Sequence, residues 1–334
     1  MNDLGEAIDE LAAETGFSGV VRVDRGAEVR LAKAYGLAHR GWGVPNALDT
    51  RFAVASGTKG LTALTVVSLI EQGLLEPATT ARSVLGPDLP LIDDAVTVEQ
   101  LLTHRSGIGD YFDEEAEHDI TDHVLPVGVH ELATSEQYLR VLGGHPQKFA
   151  PGHRFSYSNG GFAVLAVLAE RVSGVPFHEL VKRRVCDPAG LRDTEFLRSD
   201  ALPGRTATGY FTPDGLRTNI FHLPVRGSGD GGCYSTAADV HALWAAFFAG
   251  RIVSANWVAE MVRPHSETPH EFIRYGLGFW LYESTGSVKL EGCDAGVSFR
   301  SVHDPVSELT HTVLSNTADG AWPITRRLAE LLGS

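Results

Sequence analysis

The 334-residue chain has few cysteines and no long apolar run. Its cysteines are Cys186, Cys233 and Cys293, and their wide separation offers neither a disulfide framework nor the paired spacing of a zinc site. No stretch approaches the roughly 18 uninterrupted apolar residues that a membrane-spanning helix needs. The beginning, "MNDLGEAIDELAAETG", is acidic and amphipathic, whereas an export signal has a basic end followed by an apolar run. We therefore expect a cytoplasmic protein with free thiols.

Positive charge is also scarce, with 28 Lys and Arg residues against 42 Asp and Glu residues and a formal net charge of -14. Proteins that bind nucleic acids or anionic membranes rely on Lys and Arg contacts to phosphates, so neither partner is predicted. The glycine-rich run "GSGDGG" at 227–232 lacks the Gly-Lys-Ser/Thr ending of a phosphate-binding loop and is interpreted as a tight turn. The chain also lacks G-x-S-x-G, which argues against an α/β-hydrolase. No cofactor is predicted.

Strand patterns occur at both ends of the chain, with helical patterns between them. An amphipathic helix over Leu4–Glu14 precedes two alternating runs, "SGVVRV" and "EVRLAKAYG", which predict a β-hairpin. Near the C-terminus, "VSFRSVHDPVSELTHTVLS" predicts two more strands, and "WPITRRLAELL" predicts a closing helix. These patterns predict an α/β domain over 1–80 and 231–334, with an antiparallel sheet built from both termini, and a mostly helical domain over 81–230.

Ser56 and Lys59, in "FAVASGTKGLTAL", stand three positions apart where an apolar run becomes a predicted helix, Leu61–Gln72. If the helix begins at residue 56, the two side chains share a face and the amine reaches the hydroxyl. A serine hydroxyl becomes a good nucleophile when a base takes its proton, and a lysine can be that base when burial or nearby positive charge lowers its pKa. The alternative is a helix-capping serine with a solvated lysine. S-x-x-K occurs once in the chain, but the motif alone is a weak signal.

Tyr157 and Asn159 stand two positions apart in "GHRFSYSNGGFAVL", immediately before a predicted apolar helix, Gly160–Ser173. An alternating loop directs both side chains to the same side, where a phenol can transfer a proton and an amide can hold a carbonyl. The alternative is a polar turn in which Asn159 caps the helix and Tyr157 packs. The two motifs together are much less expected by chance than either one.

The sequence resembles the serine hydrolase family that contains class C β-lactamases, D,D-peptidases, D-aminopeptidases and family VIII carboxylesterases. The similar segments follow the family's order and spacing almost from end to end, and they are "FSGVVRVDRG", "DTRFAVASGTKGLTAL", "VTVEQLLTHRSGI", "FAPGHRFSYSNGGFAVLAVLAERVSG", "DPAGLRDTEF", "GDGGCYSTAADV" and "YGLGFWLY". The resemblance implies a β-lactamase-like (penicillin-binding protein transpeptidase-like) fold, α/β plus all-α. In that fold an antiparallel sheet flanked by helices and a helical domain enclose the active site in the cleft between them.

The resemblance also implies roles for the two motifs. Ser56 would be the acylated nucleophile, Lys59 its base and Tyr157 a proton shuttle. Asn159 would bind the substrate carbonyl. The backbone N–H of Ser56 would form half of the oxyanion hole, which stabilises the tetrahedral intermediate.

The third motif of the family departs from its usual pattern here. Relatives place Lys-Thr-Gly or His-x-Gly on the strand that borders the cleft, and the best match in this chain is Glu291-Gly292-Cys293. Because Glu291 is an anion where a cation is usual, we expect a substrate that lacks a carboxylate near the scissile bond or carries an amine for Glu291. Cys293 would narrow the space beside the strand, and the N–H near Asp294 would be the second oxyanion donor. The alternative is an alignment shifted by one residue, or a Glu291 that faces away from the cleft.

The acidic segment at 110–131 contains His118, His123 and His130 but lacks a metal-ligand spacing such as H-E-x-x-H, so no metal site is predicted. The segment is interpreted as a solvated loop or as a lid near the cleft, with Tyr111 expected to contact substrate. His104, in "LLTHRSG", is interpreted as a buried, hydrogen-bonded histidine.

These observations predict a serine hydrolase that acts through a covalent acyl-enzyme, as a carboxylesterase on small or medium acyl esters. The alternatives on the same fold are a D-amino-acid amidase or peptidase, an acyltransferase, a weak β-lactamase and a non-catalytic binding protein. Glu291 disfavours efficient β-lactamase action, and the missing export signal disfavours a D,D-peptidase. The expected partner is a small-molecule ester or amide substrate.

Overall fold

The computed structural model describes residues 2–116 and 120–333. Its strands are β1 (Gly19–Arg25), β2 (Glu28–Tyr35), β3 (Leu37–His39), β4 (Val44–Pro45), β5 (Phe52–Ala53), β6 (Tyr234–Ser235), β7 (Ser266–Glu267), β8 (Ile273–Tyr275), β9 (Trp280–Tyr282), β10 (Val288–Asp294), β11 (Val297–Asp304) and β12 (Leu309–Ser315). Its helices are α1 (Asn2–Thr15), α2 (Thr58–Glu71), α3 (Ala81–Leu85), α4 (Val98–Leu102), α5 (Leu139–Leu142), α6 (Asn159–Ser173), α7 (Phe177–Val181), α8 (Asp187–Ala189), α9 (Ala237–Phe248), α10 (Ala255–Met261) and α11 (Ala321–Leu332). A π-helical turn, Lys182–Cys186, joins α7 to α8.

The main sheet contains eight strands in the order β2-β1-β12-β11-β10-β9-β8-β7, and its pairs are antiparallel. Strand β1 lies between the edge strand β2 and β12, so the two ends of the chain pair with each other close to one edge of the sheet. Gly26 turns the β1–β2 hairpin with φ +55°, a backbone conformation that glycine adopts without a steric penalty. The prediction of an antiparallel sheet flanked by helices is confirmed.

Helices cover the sheet on both faces. Helices α1 and α11 pack together over one face, where Ile8, Val21, Val313 and Ile324 form a compact apolar core. A larger core on the other side includes residues of α2, α6 and α9. Because both faces are covered, β12 is buried along its whole length rather than alternating between buried and exposed residues.

Helix α6 is enclosed along most of its length. Its residues from Asn159 to Ala169 are all buried, and it ends at Gly174, which has a left-handed backbone. None of the described helices alone is long and apolar enough to cross a membrane. Asn159–Ser173 and Phe177–Ala189 meet those criteria only as a pair bent by 84°. The apolar character of α6 follows from its place in the core.

Candidate active site

Ser56 lies in a strained turn at the entrance to α2. Residues Ala55–Gly57 form a 3-10 turn, and Ala55 has φ +43°, which is uncommon for a residue with a Cβ. Neither this turn nor α2 receives a side-chain cap, so Ser56 is not the helix-capping serine of the alternative interpretation. Strained backbone persists where its surroundings enforce it, and such positions concentrate at functional sites.

Lys59 is buried directly behind Ser56. Its side chain is 1% exposed, and its Nζ donates to Ser56 Oγ at 2.9 Å, Asn159 Oδ1 at 2.7 Å and the Asp230 carbonyl at 2.8 Å. Burial lowers the pKa of Lys59 below its ordinary value, although nearby carboxylates oppose the shift. A lysine in this environment is suited to accept a proton from the serine.

Tyr157 and Asn159 reach the same place from the start of α6. Asn159 accepts from Lys59, while the N-cap of α6 is Ser158, whose Oγ accepts from the Gly161 N–H at 2.9 Å. Tyr157 stacks on Trp280 with ring centroids 5.7 Å apart, and the Lys59 Nζ lies 4.9 Å from its ring centroid. Burial raises the pKa of Tyr157 well above its ordinary value, whereas a hydrogen bond with Ser56 lowers it. The phenol is therefore protonated at neutral pH.

His104 supports this loop from behind. Its buried ring lies 4.2 Å from the Tyr157 ring, and its Nδ1 accepts from the Ser158 N–H at 3.0 Å. Burial lowers the pKa of His104 well below its ordinary value, so the ring is neutral. The interpretation of His104 as a buried, hydrogen-bonded histidine agrees with these contacts.

Strand β10 crosses close to Ser56 at Gly292. A Cβ added to Gly292 would lie 2.3 Å from the Val54 carbonyl oxygen and 2.7 Å from the Ser56 nitrogen, so a side chain cannot be accommodated there. The neighbouring Cys293 is exposed and lies against the cleft. The absence of a side chain at residue 292 is what allows the strand to border the predicted nucleophile.

Two cavities meet at Ser56 and Cys293. The inner cavity, about 110 Å³, is also lined by Tyr111, Asn159 and Asp294. The outer cavity, about 490 Å³, is also lined by Tyr157 and Glu291. Apart from Lys59, which lies behind Ser56, every predicted site residue thus lines one of the two cavities.

Comparison with known proteins shows the family to which the chain belongs. Residues 4–333 match the family model described as Beta-lactamase. The chain belongs to the Beta-lactamase family of serine hydrolases. A solved structure that is similar to this chain is that of the penicillin binding protein from Bacillus halodurans. The two sequences are 34% identical, and the structures superimpose with a TM-score of 0.91 over 97% of this chain and 99% of that chain.

The curated relatives of this chain include proteins named as an esterase and as an aminopeptidase. Esterase EstB of Burkholderia gladioli is 33% identical over 215 residues, which cover 62% of this chain and 54% of EstB. The D-aminopeptidase of Brucella anthropi is 30% identical over 283 residues, which cover 83% of this chain and 51% of that protein. The chain therefore spans about half the length of each of these two relatives.

The close approach at Gly292 corrects the alignment of the third family motif. The glycine that the strand needs beside the nucleophile is Gly292, so the predicted match of Cys293 to the motif glycine is wrong by one residue. The matching tripeptide is Leu290-Glu291-Gly292. Leu290 is 4% exposed and packs against Gly60 of α2, so an apolar side chain takes the position of the usual cation. The expected second oxyanion donor accordingly moves from Asp294 to the Cys293 N–H.

Glu291 is also not the unpaired anion that the sequence suggests. It accepts from Lys289 Nζ at 3.1 Å and from Arg300 Nε, the residue opposite it on β11. Although burial opposes the shift, these two cations hold the pKa of Glu291 below its ordinary value. We call Lys289, Glu291 and Arg300 the rim cluster; its two cations outnumber its one carboxylate. The unpaired anion from which the substrate preference was expected is therefore not present, and the preference itself stays a prediction.

Other carboxylates surround the inner cavity, and of these only Asp294 stands next to a motif that the sequence analysis identified. Glu114, Asp230 and Asp294 line the inner cavity, and we call them the inner acid cluster. Glu114 accepts from Asn159 Nδ2 at 3.1 Å, and Asp230 accepts from the Tyr111 hydroxyl. Asp230 belongs to the 227–232 run, which folds as the predicted turn with Ser228 N–H donating to the Gly231 carbonyl. The one sequence feature that could have indicated Asp230 is its position as a carboxylate between two glycines.

The segment 110–131 borders this cavity as well. Asp110 anchors the start of α6 by accepting from Ser158 Oγ at 2.8 Å and from the Gly160 N–H. Tyr111 and His123 line the inner cavity, whereas His118 lies outside the described residues. Whether the segment moves as a lid stays a prediction.

Proposed function

We propose that the chain hydrolyses carboxylic esters of small or medium acyl groups through a covalent acyl-enzyme on Ser56. The observation that carries this proposal is the buried Lys59, whose Nζ lies 2.9 Å from Ser56 Oγ. A serine paired with a desolvated amine is a standard means of nucleophile activation. The similarity to EstB supports ester hydrolysis.

In the acylation step, Ser56 Oγ forms a bond to the ester carbonyl carbon while its proton passes to Lys59 Nζ. The resulting oxyanion is stabilised by the Ser56 N–H and, on the corrected alignment, by the Cys293 N–H. The bond to the leaving alkoxide then breaks, and Tyr157 donates its proton to that oxygen. Lys59 returns a proton to Tyr157, and water releases the acid by the reverse sequence.

A second candidate is hydrolysis of amides of amino acids. The inner acid cluster supports it, because carboxylates next to the nucleophile suit a substrate that carries an amine. The D-aminopeptidase similarity points in the same direction. Substrates with a carboxylate at this position are disfavoured by the same acids and by Leu290 in the place of the usual cation.

The proposal is tested by exposing the purified chain to a fluorophosphonate and locating the adduct by mass spectrometry. We expect one adduct, on Ser56, and hydrolysis of p-nitrophenyl acetate and butyrate. In Ser56→Ala both should disappear, with at least about a thousandfold loss of kcat/KM.

The matched control is Ser83→Ala, which removes an exposed hydroxyl on α3. It should label and turn over like the wild type. Failure of the wild type to form an adduct on Ser56 would refute the proposal.

A further inference from the structure

A third cavity lies outside the cleft, and its wall includes His178, Phe196, Arg226 and Cys233. Its volume of about 750 Å³ is in the range of pockets that hold small organic molecules. Among the described residues, it shares no lining residue with the inner or the outer cavity. The π-helical turn Lys182–Cys186 forms part of its wall, and such turns are frequent at functional sites.

The third cavity and the inner cavity lie on two sides of one wall. At three places along the chain, consecutive residues line the two cavities, one residue each. These pairs are Phe196 and Leu197, Arg226 and Gly227, and Cys233 and Tyr234. The same 226–233 segment also contacts Lys59, whose Nζ donates to the carbonyl of Asp230 at 2.8 Å. A ligand in the third cavity therefore lies behind the active site without occupying it.

Arg226 is a half-buried cation of this wall that has no carboxylate partner. Its Nε donates to the Phe196 carbonyl at 2.9 Å. Among the described residues, its two terminal nitrogens have no acceptor, and no carboxylate lies within ion-pair distance of the guanidinium. Burial lowers the pKa of Arg226, and the attraction of Glu195 does not offset this effect. A desolvated charge without a partner is costly, and an anionic ligand that pairs with it removes this cost.

A second polar group of the wall also has no partner. Ser135 is 1% exposed, and its Oγ makes no hydrogen bond with the residues that the structure describes. It lies close to Arg226 along the chain contacts, because the Arg226 N–H donates to the carbonyl of Leu132, three residues before Ser135, at 3.2 Å. The hydroxyl is therefore available to donate to an oxygen of an anion that Arg226 binds.

The acidic residues of the wall have other partners than Arg226. These contacts are Glu136 with Arg171, Glu179 with Arg183, Asp187 with Lys182, Glu195 with Arg51, and Glu170 with the Phe177 N–H. One guanidinium balances one negative charge, so a carboxylate suits the site better than a phosphate dianion among these acids. The wall also offers apolar groups, including Pro176, Val181 and Leu191.

We propose that the third cavity binds a small organic acid. Its carboxylate pairs with the terminal nitrogens of Arg226 and accepts from Ser135 Oγ, and its apolar part packs against Phe196 and Leu191. The ligand is a molecule other than the substrate, because the cavity lies on the far side of the wall from Ser56. The site is thus independent of the proposed function.

The test compares two probes of nearly equal size, which are 3-phenylpropionate with a carboxylate and 3-phenylpropanol with a hydroxyl in its place. Binding of each probe to the purified full chain is measured by isothermal titration calorimetry. We expect 3-phenylpropionate to bind at least about tenfold more tightly, because hydrogen bonds between two charged groups are stronger than neutral ones.

Variants assign the binding to the third cavity. Arg226→Gln removes the cation and should weaken binding of 3-phenylpropionate at least about tenfold, whereas Ser135→Ala should weaken it about threefold. The control is Arg327→Gln, which removes a cation on the surface of α11 and should bind like the wild type. Circular dichroism shows whether each variant is folded. Ser135→Ala breaks no hydrogen bond found in the described chain, so it is expected to fold.

Three results would overturn the proposal. The first is no detectable binding of 3-phenylpropionate to the wild type, and the second is equal affinity for the two probes. The third is wild-type affinity in a folded Arg226→Gln, or in Ser135→Ala if Arg226→Gln does not fold, since the probe then binds elsewhere. None of these measurements depends on labelling or turnover at Ser56, so this proposal and the proposed function fail separately.

Discussion

The two clusters of charged residues beside Ser56 differ in how their members are paired. The inner acid cluster places three carboxyl groups around the amine of Lys59, whereas the rim cluster places two cations around one carboxylate. The inner cluster leaves Asp230 Oδ1 without a donor, but in the rim cluster both Lys289 and Arg300 are engaged by Glu291. An acceptor without a donor, such as Asp230 Oδ1, is available to a ligand. The ion pairs of Glu291 with Lys289 and Arg300 instead indicate a structural role for the rim cluster.

This difference changes the reason for expecting a substrate without a carboxylate. The carboxylate of Glu291 is compensated by its neighbours, so it exerts little net repulsion. Among the described residues, the carboxyl groups beside Ser56 without a paired Lys or Arg lie instead in the wall of the inner cavity. The net charge beside the nucleophile therefore depends on which side chains form ion pairs in the folded protein. It does not follow from the charge of one motif residue.

The largest effect is expected from removing the base between the clusters. Lys59→Arg keeps a positive charge, but a guanidinium does not give up its proton at working pH, so it cannot accept the serine proton. We expect kcat/KM for p-nitrophenyl butyrate to fall by about 10³-fold, within the range for general bases. Circular dichroism and thermal unfolding would show whether the variant is folded. Activity of a folded Lys59→Arg within tenfold of the wild type would mean that Lys59 contributes only charge.

Substitutions on β10 distinguish the two alignments of the third motif. Gly292→Ala places a Cβ against the Ser56 nitrogen, so we expect about a hundredfold lower kcat, comparable to losing one oxyanion donor. Cys293→Ala removes an exposed thiol and retains the backbone N–H, so kcat should stay within about threefold, since surface substitutions are usually mild. The opposite ranking, measured by steady-state kinetics, would restore the original alignment.

Much of this molecule is predictable from local patterns. The terminal hairpin, the closing helix and the helix after Tyr157 follow from alternation, periodicity and the glycines that end them. The resemblance located Ser56, Lys59, Tyr157 and Asn159, which the structure brings together although residue 59 and residue 159 are far apart in the chain. The family and the fold are confirmed, while the catalytic roles stay predictions.

What the sequence could not supply depends on long-range packing. Glu291 carries the same charge whether or not Arg300 lies opposite it, and only the register of β10 against β11 decides this. Asp230 and Asp294 come from distant segments that meet only across the cavity. The misplaced motif glycine has the same origin, because the need for Gly292 arises from its contact with Val54 and Ser56.

Breaking the rim cluster should affect stability more than chemistry. Glu291→Gln removes the one carboxylate that pairs with the buried Lys289 and the half-buried Arg300. We expect a loss of about 1–2 kcal/mol in the free energy of unfolding, less than for a fully buried pair because water reaches the rim. Urea denaturation measures this loss, with Glu330→Gln on the exposed face of α11 as the control. A loss equal to that of the control would show that the ion pairs of the rim cluster contribute nothing to the free energy of unfolding.

A pH dependence of stability is expected from the inner acid cluster. Burial raises the pKa of Asp294 to about 7, whereas an aspartate in the unfolded chain titrates near its ordinary value of about 4. Between those values the folded state binds more protons than the unfolded state, so stability is highest at low pH and is lost as pH rises through 7. Asp294→Asn removes this loss. Its stability relative to wild type should therefore improve by up to about 4 kcal/mol from pH 4 to pH 8, measured by urea denaturation. Asp94→Asn serves as the control. Parallel pH profiles of stability for wild type and Asp294→Asn would show that folding does not raise the pKa of the Asp294 carboxyl group.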